Sequence, residues 1–185
     1  MPTLSVFDSV SLDGYFTDPH GDNSWAHSAD PEWNQFVAGN ASAGGMLLFG
    51  RKTYEQMISF WPTPQAEQVM PVVARAMNAM PKVVFSRTLE AAGWSNTRLV
   101  RGNLVEEVQA LKAGDGPNMT ILGSGTIVAQ LAQAGLIDTY QIVVLPLVLG
   151  AGRTLFESVT RRVPLNLVRA RPFTNGNVVL EYSPA

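Results

Sequence analysis

ILGSGTIVAQLAQAG, residues 121–135, predicts a buried strand, a tight corner and a helix in direct succession. Apolar residues at helical spacing follow the corner, and Gly135 marks the end of the helix. The corner itself, Gly123-Ser124-Gly125-Thr126, leaves the backbone N–H groups of a helix N-terminus without intrahelical partners. Such a corner is either a plain tight turn or a seat for an anion, because helix N-termini bind phosphates.

Two other strand ends have the same organisation. LLFG-RKT (47–53) and VVF-SRT (83–88) each end a buried strand in small or basic polar residues. In an open α/β sheet the ligand crevice lies at the carboxyl ends of the strands, so all three junctions are expected to face one groove. Arg51 and Lys52 open a helix, where the helix dipole disfavours positive charge unless an anion binds nearby.

The remaining pattern predicts an α/β fold. Further strands are predicted over 4–12, 97–100 and 137–150, and further helices over 31–41, 51–59, 66–79 and 104–114. Thr174-Asn175-Gly176 separates two strand-like runs and indicates a C-terminal hairpin. The order of elements predicts a central mixed sheet, mostly parallel with antiparallel C-terminal strands, flanked by helices.

Length and composition limit the classes of function. With 185 residues the chain is expected to form a single domain over 1–185. The net charge of −2 argues against general binding to nucleic acid or to anionic membranes. Cysteine is absent and there are only two histidines, His20 and His27, so no metal site is expected. No secretion signal or apolar run of membrane-spanning length is present, which makes a cytoplasmic location the default expectation.

Two familiar motifs do not fit. Residues 45–53 resemble a P-loop with an additional arginine, but their centre, MLLF, is a strand and cannot wrap around phosphates. Residues 123–128 lack the third glycine of the dinucleotide fingerprint and lie too late in the chain for the usual Rossmann order. The GSG corner is also different from the nucleophile elbow of hydrolases.

Four blocks in the same order carry a resemblance to a known family. They are SLDGYFT (11–17), LLFGRKTYE (47–55), VVFSRTL (83–89) and the long segment 121–156. They resemble the dihydrofolate-reductase-like superfamily, and most closely the C-terminal reductase domain of the bifunctional riboflavin-biosynthesis deaminase/reductase. The resemblance spans nearly the whole chain and implies the central sheet of that superfamily.

The resemblance implies NADPH as the hydride donor. Gly50, Arg51, Lys52 and Thr53, with Ser86 and Arg87, would then hold the adenosine 2′-phosphate and neighbouring phosphate groups. The pyrophosphate would lie on the corner formed by Gly123, Ser124, Gly125, Thr126 and Ile127. Ser9, Val10 and Gly14 would lie near the nicotinamide.

The resemblance identifies the residues that would bind the substrate less closely than those that would bind the cofactor. Trp25, Asp30 and Trp33 are similar in type and spacing to the tryptophan and carboxylate of dihydrofolate reductases, and Trp61 can wall the pocket. Hydride addition to a C=N bond requires a proton, which Asp30 would supply. Asp30 can equally act only as a helix cap before Pro31, and Glu32 or Asp8 can serve as the acid instead.

The chain departs from the bifunctional enzyme because a zinc deaminase needs cysteine ligands. We therefore expect only the reduction, with Arg153, Arg161 and Arg162 as candidates for a substrate phosphate. The resulting hypothesis is an NADPH-dependent reductase of the 5-amino-6-(5-phosphoribosylamino)uracil type acting on a small heterocyclic or ribosylamino substrate. The alternatives are a dihydrofolate reductase and a non-catalytic NADPH-binding protein. The chain is expected to form a homodimer, as oligomers of this family commonly do.

Overall fold

Strands and helices alternate through most of the chain in the computed structural model, which describes residues 1–185. The strands are β1 (Leu4–Val10), β2 (Tyr15–Thr17), β3 (Met46–Gly50), β4 (Lys82–Phe85), β5 (Thr97–Val100), β6 (Met119–Leu122), β7 (Thr139–Val144), β8 (Arg153–Thr154), β9 (Leu165–Pro172) and β10 (Val178–Pro184). The helices are α1 (Pro31–Ser42), α2 (Arg51–Phe60), α3 (Pro64–Val69), α4 (Pro71–Ala79), α5 (Leu104–Ala113) and α6 (Gly125–Gln133).

Eight strands form one sheet in the order β5-β4-β3-β6-β1-β7-β10-β9. The six strands from β5 to β7 are parallel to their neighbours, whereas β10 runs antiparallel to both β7 and β9. This arrangement confirms the predicted mixed sheet with antiparallel C-terminal strands. The first strand, β1, lies in the interior of the sheet between β6 and β7.

Hydrophobic cores lie on both faces of the sheet. Because side chains alternate along a strand, Leu4 and Val6 of β1 join the core beneath α5 and α6. Phe7 points to the opposite face and packs against Phe36 of α1, with 6.3 Å between ring centroids. Full burial of one such aliphatic or aromatic side chain contributes about 1.5–3 kcal/mol. These cores fix the strand ends relative to one another.

Asp30 and Pro31 define the start of α1. The side chain of Asp30 accepts a hydrogen bond from the N–H of Trp33 at 2.8 Å, and Pro31 occupies the first helical position. Trp33 is buried and meets Phe173 edge to face, with 5.1 Å between ring centroids. The helix expected over 31–41 is therefore present, and it covers one face of the sheet.

Three boundaries differ from the expectations. The strand expected over 137–150 ends at Val144, since Pro146 has no N–H and the chain turns there to pair Leu147 with Leu12. The helix expected over 66–79 is two helices separated at Met70, because Pro71 begins a new helix. The strand expected over 4–12 ends at Val10, and the ribbon formed by β2 and β8 was not predicted.

Candidate functional site

One groove follows the carboxyl ends of the parallel strands. Its walls include most of the residues that the sequence assigned to a cofactor or substrate: Ser9, Trp33, Gly50, Arg51, Lys52, Thr53, Trp61, Ser86, Arg87, Gly123, Ser124, Gly125, Thr126 and Ile127. The three junctions expected to meet therefore do meet.

Ser124 joins two of these junctions directly. Its Oγ accepts a hydrogen bond from the N–H of Gly50 at 2.8 Å and donates to Oγ1 of Thr53 at 2.8 Å. Gly123 and Ser124 both adopt left-handed backbone conformations, with φ of 59° and 64°. A Cβ on Gly123 would lie 3.0 Å from Cγ2 of Thr53, so glycine permits the close approach of the corner to α2.

The corner presents unbonded amides at the start of α6. The N–H groups of Ile127 and Val128 both donate to the C=O of Ser124, at 2.8 and 3.1 Å. The N–H groups of Gly123 and Ser124 have no protein acceptor, and the side chain of Ser124 does not cap the helix. Together with the amides of the first helical turn, they form a site suited to an anion.

Four basic side chains surround the adjacent part of the groove. Arg51 forms an ion pair with Glu55 at 3.1 Å, whereas Lys52 and Arg87 form no ion pair. Arg101, at the end of β5, lines the groove and donates to the backbone C=O of Leu89 at 3.0 Å. Arg101 was not among the predicted site residues, although TRLV-RG (97–102) is a fourth strand end followed by a basic residue and a glycine.

Ser86 shapes the turn that carries Arg87. Its N–H donates to the C=O of Val100, and its Oγ accepts from the N–H groups of Thr88 and Leu89 at 3.2 and 2.9 Å. This capped turn leaves the Arg87 side chain exposed at the groove. The positive charge of Arg87 and the backbone amides of the corner therefore line the same groove, which favours a ligand with more than one anionic group.

The central strand β1 has a free edge inside the groove. It pairs with β6 only as far as Phe7 opposite Leu122, but with β7 as far as Val10 opposite Val144. The backbone C=O of Thr3 points towards β6, and that of Val10 points towards β7. Backbone groups of successive residues point alternately to the two neighbouring strands, so the N–H and C=O of Ser9 point towards β6. The strand β6 has already turned into the corner there, which leaves the C=O of Ser9 open to a ligand, while its N–H donates to Oδ1 of Asp8.

Asp8 lies beside that free edge. Its Oδ1 accepts a hydrogen bond from the N–H of Ser9 at 2.9 Å, while its Oδ2 is buried and has no partner. Burial raises the pKa of Asp8 to about 7, and the hydrogen bond from Ser9 opposes this only in part. The carboxyl group can therefore hold a proton near neutral pH.

The raised pKa of Asp8 predicts a pH-dependent stability. In the unfolded chain Asp8 ionises near its ordinary pKa of 3.8, whereas in the folded protein it keeps its proton up to about pH 7. Stability should therefore fall as pH rises between these values, because the unfolded state then binds fewer protons. Between pH 5 and pH 8 the wild type should lose about 3 kcal/mol more than Asp8→Asn. Urea denaturation at both pH values checks this, and equal losses in the two proteins would contradict it.

Four predicted site residues do not line the groove. Val10 packs into the core beneath α5 and α6, and Gly14 belongs to the turn after β1. Trp25 packs beside α1 and donates from Nε1 to the C=O of Asp22 at 3.1 Å. Asp30 caps α1, and its Oδ2 lies 3.5 Å from Oγ1 of Thr174. Their contacts with a ligand remain predictions.

The other proposed acids and cations are also placed. Glu32 forms an ion pair with Arg171 at 3.1 Å and does not line the groove. Arg153 does line it, close to the ring of Phe16, although Glu157 accepts from its guanidinium at 2.6 Å. Arg161 instead donates to the C=O of Gln133. Asn34, which was not predicted, lines the groove one turn after Asp30.

No three acidic or histidine side chains lie close enough together to hold a metal ion. None of the helices combines the length and apolar content that a bilayer crossing requires.

Comparisons with known proteins agree with this geometry. The chain is 27% identical over 176 residues to the uncharacterized protein YyaP of Bacillus subtilis, covering 94% of this chain and 90% of YyaP. Its structure is similar to a diaminohydroxyphosphoribosylaminopyrimidine deaminase/5-amino-6-(5-phosphoribosylamino)uracil reductase of Thermotoga maritima, with a TM-score of 0.68 and 15% identity over 100% of this chain and 57% of that one.

A dihydrofolate reductase of Enterococcus faecalis, solved in complex with NADP(H) and RAB-propyl, has a TM-score of 0.63 and 16% identity, covering 98% of this chain and 96% of that one. This similarity shows the dihydrofolate-reductase-like fold. The sequence model of the RibD C-terminal domain matches residues 2–179. The chain therefore belongs to the RibD C-terminal domain family.

Proposed function

We propose that the protein is an NADPH-dependent reductase that transfers a hydride to a small heterocyclic or ribosylamino substrate. The type of reaction is that of 5-amino-6-(5-phosphoribosylamino)uracil reductase, carried out by a single domain. The observation that carries this proposal is the meeting of two anion-binding features in one groove. These are the amide corner at Gly123–Thr126 and the cations Arg51, Lys52 and Arg87.

The residues of the groove fit NADPH. The unbonded amides of Gly123 and Ser124 suit the pyrophosphate, and glycine at position 123 lets this corner lie against Thr53 of α2. Arg51 and Arg87 suit the 2′-phosphate, which carries nearly two negative charges near neutral pH. The cofactor would supply the hydride from its reduced nicotinamide ring.

The remaining walls suit a planar substrate beside the nicotinamide. The backbone C=O of Ser9 points into the gap between β1 and β6, while the N–H of Ser9 is bonded to the carboxyl group of Asp8. Phe16, Trp33 and Trp61 contribute apolar surface, which excludes water from the reacting atoms. Asn34 supplies an amide that can bind a polar edge of the substrate.

Two alternatives share this site. A dihydrofolate reductase would use the same cofactor and the same α1 wall, and a non-catalytic protein would bind NADPH without turnover. The Thermotoga maritima relative joins a deaminase to its reductase, but this chain has no cysteine for a zinc deaminase site. We therefore assign only the reduction to this chain.

The decisive test of the reaction is NADPH oxidation measured with dihydrofolate and with the deaminated riboflavin precursor side by side. We expect oxidation with the ribosylamino substrate to be much faster than with dihydrofolate. Faster oxidation with dihydrofolate would support the first alternative. Tight NADPH binding without oxidation by either substrate would support the non-catalytic alternative.

We also propose that two copies associate through β9. This edge strand is exposed along its whole length, and Leu167 and Val168 are 58% and 60% exposed. An open, apolar strand edge is a site for pairing with another chain, and two-fold dimers are the commonest oligomers. Light scattering at micromolar concentration should report a dimer, and Val168→Lys should shift it towards a monomer. A wild-type monomer at that concentration would contradict the proposal.

A further inference from the structure

Asp8 lines the groove near the point where β1 and β6 separate. The N–H of Ser9, which donates to Oδ1 of Asp8 at 2.9 Å, points towards β6. The hydrogen bond therefore holds Oδ1 of Asp8 at the β6 side of the strand. The second oxygen, Oδ2, is buried without any partner. A buried polar atom without a partner is costly, which indicates a functional reason for its retention.

Resting on the proposed function, we propose that Asp8 carries the proton that accompanies the hydride. Its carboxyl donates this proton to the substrate nitrogen, and its carboxylate then balances the positive charge left on the oxidised nicotinamide. The protonation state of Asp8 would thus depend on whether the bound cofactor is oxidised or reduced.

The reaction balances with these groups alone. The hydride, with its electron pair, forms a new C–H bond at the carbon of a C=N group, and the π electrons pass to the nitrogen. The O–H bond of Asp8 breaks and an N–H bond forms at that nitrogen. NADPH is oxidised and the substrate is reduced by two electrons. Solvent returns the proton to Asp8 after the oxidised cofactor leaves.

The side chains around Asp8 contribute little fixed charge, so the protonation of Asp8 can respond to the charge of the cofactor. The corner of β6 and α6 contains no ionisable side chain between Gly123 and Val128. Burial raises the pKa of Asp8 to about 7, the hydrogen bond from Ser9 lowers it in part, and no neighbouring charge contributes. The ionisable groups on the elements around this region of β1 are Tyr15 of β2, Tyr140 of β7, Arg153 of β8, Asp13 in the turn after β1, and Arg51, Lys52, Tyr54 and Glu55 of α2.

The other two candidate acids are already engaged. Asp30 accepts the capping hydrogen bond from Trp33, and Glu32 forms an ion pair with Arg171. Neither residue lines the groove.

The test measures protons released on binding the oxidised and the reduced cofactor. Calorimetry at pH 7, repeated in buffers of different ionisation enthalpy, gives the proton change for NADP⁺ and for NADPH. The 2′-phosphate is common to both, so its contribution cancels in the difference. A cationic ring beside Asp8 lowers its pKa, and NADP⁺ should release roughly half a proton to one proton more than NADPH.

Asp8→Asn should abolish this difference while still binding NADPH, and its turnover should fall about 10²- to 10⁴-fold. The matched control Asp115→Asn changes an exposed carboxylate outside the groove and should keep the wild-type difference. Equal proton changes for the two cofactors in the wild type would overturn the proposal, as would a difference that is lost in Asp30→Asn but kept in Asp8→Asn. Failure to bind either cofactor would overturn the proposed function as well, so the two failures are distinguishable.

Discussion

Arg87→Ala is expected to weaken NADPH binding about ten- to a hundredfold while leaving NADH binding nearly unchanged. The Arg87 guanidinium is exposed at the groove and forms no ion pair, so it is free to bind the 2′-phosphate that only NADPH carries. A charge-assisted hydrogen bond contributes roughly 1.5–3 kcal/mol, and 1.4 kcal/mol is about tenfold in affinity. Calorimetric titration of both cofactors measures the two losses separately.

Arg51→Ala should act in the same direction and in the same range. The ion pair between Arg51 and Glu55 is exposed and adds little stability, so it does not prevent Arg51 from binding phosphate. The preference for NADPH should also shrink as salt rises, because the contacts are partly exposed. Arg98→Ala is the matched control, since Arg98 is also exposed at the surface but lies outside the groove. Equal losses for NADPH and NADH would place these arginines at the shared pyrophosphate or in the fold.

Gly123→Val is expected to weaken NADPH and NADH binding equally, by about a hundredfold or more. Gly123 has φ of 59°, a region that a β-branched residue adopts only with strain of about 1–3 kcal/mol. Its new Cβ would also lie 3.0 Å from Thr53, which forces the corner away from α2. The amides proposed to bind the pyrophosphate would then lose their alignment, and the pyrophosphate is common to both cofactors.

Gly116→Val provides the control for this substitution. A Cβ on Gly116 would meet no heavy atom within 4 Å, and this glycine has no positive φ and lies outside the groove. The variant should bind both cofactors like the wild type. Circular dichroism and urea denaturation establish that Gly123→Val remains folded at the temperature of the titration. Unchanged affinity in folded Gly123→Val would show that the corner is only a structural turn.

The meeting of the strand ends in one groove could be predicted from the sequence because its signals are local. A buried strand that ends in glycine or a basic residue and leads into a helix is visible in consecutive residues, as at Gly50–Arg51 and Gly123–Gly125. The parallel order then brings those ends together. The hydrogen bond from Ser124 to Thr53, which joins residues 71 positions apart, has no such local signal.

The environment of Asp8, the proposed proton donor, could not be predicted from the sequence in the same way. The environment of Asp8 depends on where β1 stops pairing with β6, and this is set by the turn that β6 makes at Gly123. Asp30 has a clear sequence signal, but that signal is equally the signature of a helix cap, and the capping hydrogen bond to Trp33 is present. The early end of β7 shows the same limit, because an apolar run does not reveal that Pro146 turns the chain.

A crystal structure of the protein with NADP⁺ tests the proposed cofactor site most directly. We expect the pyrophosphate on the amides of Gly123 and Ser124, and the 2′-phosphate within hydrogen-bond distance of Arg51, Ser86 or Arg87. We also expect the nicotinamide at the free edge of β1 beside Asp8. A cofactor bound elsewhere, or a 2′-phosphate directed to solvent away from these residues, would contradict the proposed site.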